Sequence, residues 1–258
     1  MDYSTITLTV EEGVACLTLE RPEVMNALNT QMRAEITHAL RNLDAAARVL
    51  VLTGAGRAFC SGQDLGDTGN ANATDLERVL RDEYVPMLLA LRDLRVPSIA
   101  AVNGAAAGAG ANLALACDVV IASEAAHFTQ AFTRIGLIPD AGGTWTLPRQ
   151  VGTARAMGAM LFADRIPARQ AAEWGMIYEA VPEAGFEPRW RARAAHLAAG
   201  PTETFRHLRE AMRASPENGF EAQLALEARL QGACGQSRDF KEGVLAFVEK
   251  RPARFEGR

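Results

Sequence analysis

Residues 49–53 and 98–102 are short, almost wholly apolar runs, and each empties into small residues: Gly54-Ala55-Gly56 after the first, Gly104 to Ala116 after the second. A run that apolar, without polar alternation, needs cover on both faces, as a strand inside a parallel sheet has. A third strand signal lies at 119–123, and a helical pattern over about 73–94 separates the first two. Strand, helix and strand in that order argue for βαβ units and an α/β core.

The flanks agree with that core. Residues 6–10 and 14–19 alternate in polarity around Glu12-Gly13, a hairpin signal, and Arg21-Pro22 ends the second strand. Asn29 is placed to cap a helix through about Ala46, with Met32, Ile36, Leu40 and Leu43 at helical spacing. Beyond about Ala180 the texture changes: 187–199, 202–215, 219–235 and 238–250 all read as helices, with no strand among them. The expected division is therefore a core over 1–198 and a helical region over 199–258 that packs on the core or on a neighbouring subunit.

Composition narrows the function classes. With 48% hydrophobic and 22% charged residues the chain reads as an ordinary globular protein. A net charge of −4 argues against nucleic acid or an anionic membrane as partner. The longest apolar stretch, around 99–111, falls short of the ~20 residues a membrane span requires. No basic-then-apolar leader opens the sequence, and Cys16, Cys60, Cys117 and Cys234 form no CxxC pair. The expected setting is cytoplasmic and reducing. No His/Cys/Asp/Glu spacing suits a metal and no nucleotide fingerprint is complete, so neither is expected. His38, His127, His196 and His207 read as surface or packing residues.

The chemistry sits in the small-residue segments. Arg57 to Leu65 and Asn103 to Asn112 each place main-chain N–H groups just after a buried strand, where glycine and alanine let a ligand approach closely. One N–H from each could converge on a developing oxyanion. Tight packing of helix on strand is the competing explanation for such residues.

Taken in order, these segments resemble the crotonase (enoyl-CoA hydratase/isomerase) superfamily. The resemblance also covers Leu19-Glu20-Arg21-Pro22, Asn26-Ala27-Leu28, Ile138-Pro139-Asp140-Ala141-Gly142-Gly143, Gly175-Met176-Ile177 and Phe247-Val248-Glu249-Lys250-Arg251. It implies a spiral of ββα units with a C-terminal helical appendage, and a coenzyme A thioester as substrate with no permanently bound cofactor. It places the oxyanion N–H donors on Gln63 and Ala109. Gln63, Asp64, Leu65 and Gly66 would line the coenzyme, and Phe247 and Lys250 would contact it, in the same or an adjacent subunit. It also implies a homo-oligomer, a trimer or a dimer of trimers.

The resemblance bears on the reaction too. Relatives that hydrate enoyl-CoA use two glutamates, whose positions fall here on Asn112 and Phe132, and neither can act as a carboxylate. The remaining candidate is Asp140, for which an apolar setting from Phe132, Ile138 and Trp145 would raise the pKa towards neutrality. A helix N-cap is the competing role for this aspartate. One carboxylate suffices to remove a proton at one carbon and return it at another. The run 131–145, with 147–149, 154–158 and 173–177, is similar to the branch that isomerises the ring epoxide of 2-(1,2-epoxy-1,2-dihydrophenyl)acetyl-CoA to an oxepin. That branch implies Asp140 as the acid/base. The alternatives are an enoyl-CoA hydratase or Δ3,Δ2-isomerase, and an acyl-CoA-binding subunit without activity.

Overall fold

The structure, a computed structural model, describes residues 2–66 and 75–258. The hairpin forms as β1 (Ile6–Glu11) and β2 (Val14–Leu19), and both turn residues, Glu12 and Gly13, have positive φ. That turn conformation matches the right-handed strand twist. Helix α1 (Thr30–Arg41) starts on the Asn29 side chain, which accepts from the Met32 N–H at 2.8 Å. It stops short of Ala46 because Asn42 closes it and Asp44 starts a turn, its carboxylate accepting from the Ala46 N–H at 2.8 Å.

Three ββα turns follow. The first is β3 (Val49–Gly54), β4 (Ala58–Cys60), then α2 (Leu76–Val79), a π-helical turn (Leu80–Tyr84) and α3 (Val85–Arg92). Residues 73 and 74 of the expected helix lie outside the described residues. The second is β5 (Ser98–Val102), β6 (Ala105–Ala107) and α4 (Ala109–Leu115). The third is β7 (Val119–Ser123), β8 (His127–Thr129), α5 (Gly143–Val151) and α6 (Thr153–Phe162). Then come β9 (Ile166–Pro167), α7 (Ala168–Glu173), β10 (Glu179–Val181) and α8 (Glu183–Ala198). The last helices are α9 (Thr202–Ala214), α10 (Phe220–Gly235) and α11 (Arg238–Glu249).

Each turn gives one strand to a six-stranded sheet, ordered β1-β2-β3-β5-β7-β10, and one to a four-stranded sheet, β4-β6-β8-β9. The large sheet is parallel except for the β1–β2 pair. Its centre explains the unbroken apolar runs. Leu50, Leu52, Ala100 and Val102 point into the main core with Met32 and Ile36 of α1, while Val49, Val51, Ile99 and Ala101 meet Phe186, Trp190 and Ala194 of α8. Strand side chains alternate between faces, and here both faces are covered. Each fully buried Val, Leu or Ile contributes about 1.5–3 kcal/mol.

The small sheet was not visible as strands along the chain, because its members are only two or three residues long. It carries the site: β4 pairs with β6 in parallel, Cys60 opposite Ala106. The C-terminal helices are tied to the sheet layers by arginines. Arg48 donates to Thr202 Oγ1 (3.0 Å) and to the Gly200 and Phe255 carbonyls, and Arg209 pairs with Asp118 at 2.7 Å.

Candidate active site

The two small-residue segments lie against each other. Gly62 has φ of 95° and is buried against β6; a methyl group there would lie 2.8 Å from the Ala107 oxygen and 3.3 Å from the Ala109 nitrogen. Only glycine permits that backbone and that approach together. Ala109 is the first residue of α4, so its N–H precedes the intrahelical ladder, which begins with Asn112 N to Gly108 O at 3.1 Å. Among the described residues no hydrogen bond takes up the N–H of Gln63 or of Ala109.

The Gly62–Gln63 peptide is oriented from behind. Its carbonyl accepts from the Leu28 N–H at 2.7 Å, and the Asp64 N–H donates to the Leu28 carbonyl at 3.1 Å. In a trans peptide the N–H points opposite to the carbonyl. The Gln63 N–H therefore turns away from Leu28, on whose side its own carbonyl is held. Arg33 was not singled out from the sequence. It is 1% exposed, and its guanidinium donates to Leu28 O (2.5 Å) and Gln63 Oε1 (3.0 Å) while pairing with Glu83 at 2.6 Å. Tyr84, also missed and 2% exposed, donates its hydroxyl to Gln63 Oε1 at 2.6 Å. A signal was available for each. Arg33 interrupts the apolar stripe of α1 that Ile36 and Leu40 continue, and Tyr84 ends a stretch of three charged residues.

Asp140 lies on the loop before α5. Its Oδ1 is buried without a hydrogen-bond partner among the described residues. Burial raises its pKa to about 6, against a weaker pull from its own main-chain N–H. The capping alternative does not hold: Gly142 occupies the N-cap of α5, and Asp140 offers its carbonyl, not its carboxylate, to the Gly143 N–H at 2.8 Å. Of the three apolar neighbours expected to surround it, only Phe132 is buried. Ile138 is 80% exposed and Trp145 43% exposed, with Arg149 stacked 4.2 Å from its ring. A burial of Asp140 by those two is not seen.

Asn112, at the first glutamate position, has a structural task. Its Nδ2 donates to the Asp140 carbonyl at 2.8 Å and its Oδ1 accepts from Gln130, which is fully buried, at 2.8 Å. A Cβ on Gly143 would collide with the Asn112 amide, so the loop rests directly on that side chain. Phe132 packs against Gly108, next to Ala109.

Asp64 pairs with Arg21 at 2.8 Å and accepts from the Gly66 N–H at 3.0 Å, closing a turn that leaves Leu65 62% exposed. Phe247 and Lys250 stand exposed at the end of α11, Phe247 on a groove of about 400 Å³ shared with Thr204, Phe240, Val244 and Phe255. Among the described residues no hydrogen bond joins them to the Gln63 or Asp140 segments. Cys60, beside the Gln63 loop, is fully buried, which pushes its thiol up to about 12, and it donates to the Asn26 carbonyl. It is a packing residue.

Repeated ββα turns, each splitting its two strands between a large and a small sheet, define the crotonase fold. Residues 9–258 match the enoyl-CoA hydratase/isomerase family, and the chain belongs to it. It is 63% identical over the whole of both chains to a probable enoyl-CoA hydratase of Rhodobacter capsulatus. It is 45% identical to the 1,2-epoxyphenylacetyl-CoA isomerase of Escherichia coli, over 96% of this chain and 97% of that protein. A crystal structure of an enoyl-CoA hydratase/isomerase from Mycobacterium abscessus superposes with a TM-score of 0.93 at 38% identity, covering 98% and 100% of the two chains. No helix among the described residues is long and apolar enough to cross a membrane.

Proposed function

We propose that this enzyme is an acyl-CoA isomerase that converts 2-(1,2-epoxy-1,2-dihydrophenyl)acetyl-CoA to its oxepin isomer. The Gln63 and Ala109 N–H groups hold the thioester oxygen, and Asp140 moves the proton. The observation that carries this reading is the Asp140 carboxylate, one oxygen of which is buried without a partner, at a site whose two glutamate positions hold Asn112 and Phe132. The C–C bond shared by the epoxide and the six-membered ring breaks as the ring π electrons shift, opening the seven-membered oxepin. Asp140 takes a proton from the carbon beside the thioester, the electron pair spreads onto the oxygen as an enolate, and the proton returns to a ring carbon, leaving a double bond conjugated with the thioester. Atoms and electrons balance without an oxidant, so no resident cofactor is required. A pKa near 6 suits a group that must both accept and release a proton near neutrality. The coenzyme runs along Gln63, Asp64, Leu65 and Gly66. Phe247 and Lys250, on the 199–258 helical region, reach it within a homo-oligomer, a trimer or a pair of trimers.

A second reading, enoyl-CoA hydratase or Δ3,Δ2-isomerase, is favoured by the name of the 63% identical relative. Turnover of the wild type and Asp140→Asn on the epoxide, crotonyl-CoA and a 3-enoyl-CoA separates them. Epoxide isomerisation lost in Asp140→Asn supports the proposal. Fast crotonyl-CoA hydration, or an Asp140→Asn variant as active as wild type on the epoxide, overturns it.

A further inference from the structure

We propose that Arg33, Tyr84 and the Gln63 side chain form a clamp that sets the direction of the Gln63 N–H, making all three positioning residues of the oxyanion hole. The proposal rests on the reading of Gln63 and Ala109 as the donors, and its test is built to tell the two apart.

The Gln63 side-chain oxygen has two lone pairs, and both are used: one by Arg33 Nη1 at 3.0 Å, the other by the Tyr84 hydroxyl at 2.6 Å. Arg33 can only donate, so the amide oxygen, not its nitrogen, must face this pair. The same Arg33 nitrogen grips the Leu28 carbonyl at 2.5 Å, and Leu28 is the residue that holds the Gly62–Gln63 peptide through Gly62 O. Gln63 is thus fixed at its main chain through Leu28 and at its side-chain tip through the same arginine. Rotation about the Gln63 backbone would break bonds at both ends.

Tyr84 is itself held. The Arg33 guanidinium lies 4.9 Å from its ring centre, and the residue ends the π-helical turn Leu80–Tyr84. Such a turn is an irregularity that recurs at functional sites. Glu83, its neighbour in that turn, neutralises Arg33 at 2.6 Å, so the buried cation is paired as well as hydrogen-bonded. Packing alone would be met by apolar residues here, and a buried cation, a phenol and an amide converging on one oxygen are costly unless each bond is kept.

The test uses Gln63→Ala, which keeps the main-chain N–H, and Tyr84→Phe, which keeps the ring under Arg33. The direct readout is the thioester carbonyl stretch of bound butyryl-CoA, a saturated thioester that the enzyme cannot isomerise, by difference infrared spectroscopy. Wild type is expected to lower that frequency, and each variant, saturated with butyryl-CoA, to lose a large part of the shift. On the fastest of the three substrates above, kcat should fall about tenfold in each variant with KM nearly unchanged, as a misdirected donor demands. The double variant should be no worse than Gln63→Ala alone, because both act through one oxygen. A wild-type shift left intact in both variants, or losses that add in the double variant, would overturn the clamp. No shift in wild type would remove the oxyanion hole and the clamp with it.

Discussion

On the Gln63 side of the site the polar groups behind the amide are paired: Leu28, Arg33, Glu83 and Tyr84 make bonds of 2.5–3.0 Å to one another or to Gln63. On the Asp140 side the main chain is held as firmly, by Asn112 and Gln130, but the carboxylate is left with a bare, buried oxygen. The contrast separates two requirements of one reaction. An oxyanion donor works by being rigid before charge develops, so its supports should be satisfied. A proton carrier works by being nearly indifferent between its two states, and desolvation supplies that by raising an aspartate to about 6. Asn112 belongs to the supporting side of this contrast, holding the Asp140 main chain and Gln130.

Each half can be broken separately. The largest effect is expected for Asp140→Asn, at about a 10²–10⁴-fold loss of turnover, since it removes the proton carrier. The same variant should be more stable than wild type at pH 8, by on the order of 1–3 kcal/mol in denaturant titration. The sign follows from the raised pKa. The folded state holds the Asp140 proton more tightly than the unfolded chain, so the stability it contributes is present at low pH and lost as pH rises through about 6. Deleting the other half by Ala109→Pro, at a helix position where proline is tolerated, should cost about 10²–10³-fold in kcat with the circular dichroism spectrum kept.

Smaller changes sharpen the contrast. Wild-type kcat/KM should fall tenfold per pH unit below about 6, and that acid limb should vanish from the residual activity of Asp140→Asn. Asn112→Ala removes one of the two donors to the Asp140 carbonyl and leaves the Gln130 amide nitrogen without its acceptor, for an expected loss of about 1–3 kcal/mol in stability, read by chemical denaturation. The smallest effect is expected for Asp64→Asn, which removes the charge from a largely buried ion pair with Arg21 but keeps an oxygen for the hydrogen bond; about 1 kcal/mol should be lost in chemical denaturation.

Much of this molecule is local enough to be read along the chain. Strands buried on both faces write themselves as apolar runs, so β3, β5 and β7 were legible. The small residues at Gly62 and across 104–111 marked where main-chain groups are left open, and Asp140 stood out as the carboxylate beside them. What local sequence does not carry is convergence. The β4-β6-β8 sheet is built from three-residue strands too short for any periodicity to show, and only the pairing of Cys60 with Ala106 brings Gln63 to Ala109. Arg33 and Tyr84 were not singled out along the chain, and they come together only because α1 and the π-helical turn close on the same glutamine oxygen. Whether Asp140 caps a helix or carries a proton likewise depended on the third dimension. Its residue type allows both, and the N-cap of α5 at Gly142 removes the capping role while one carboxylate oxygen stays buried without a partner.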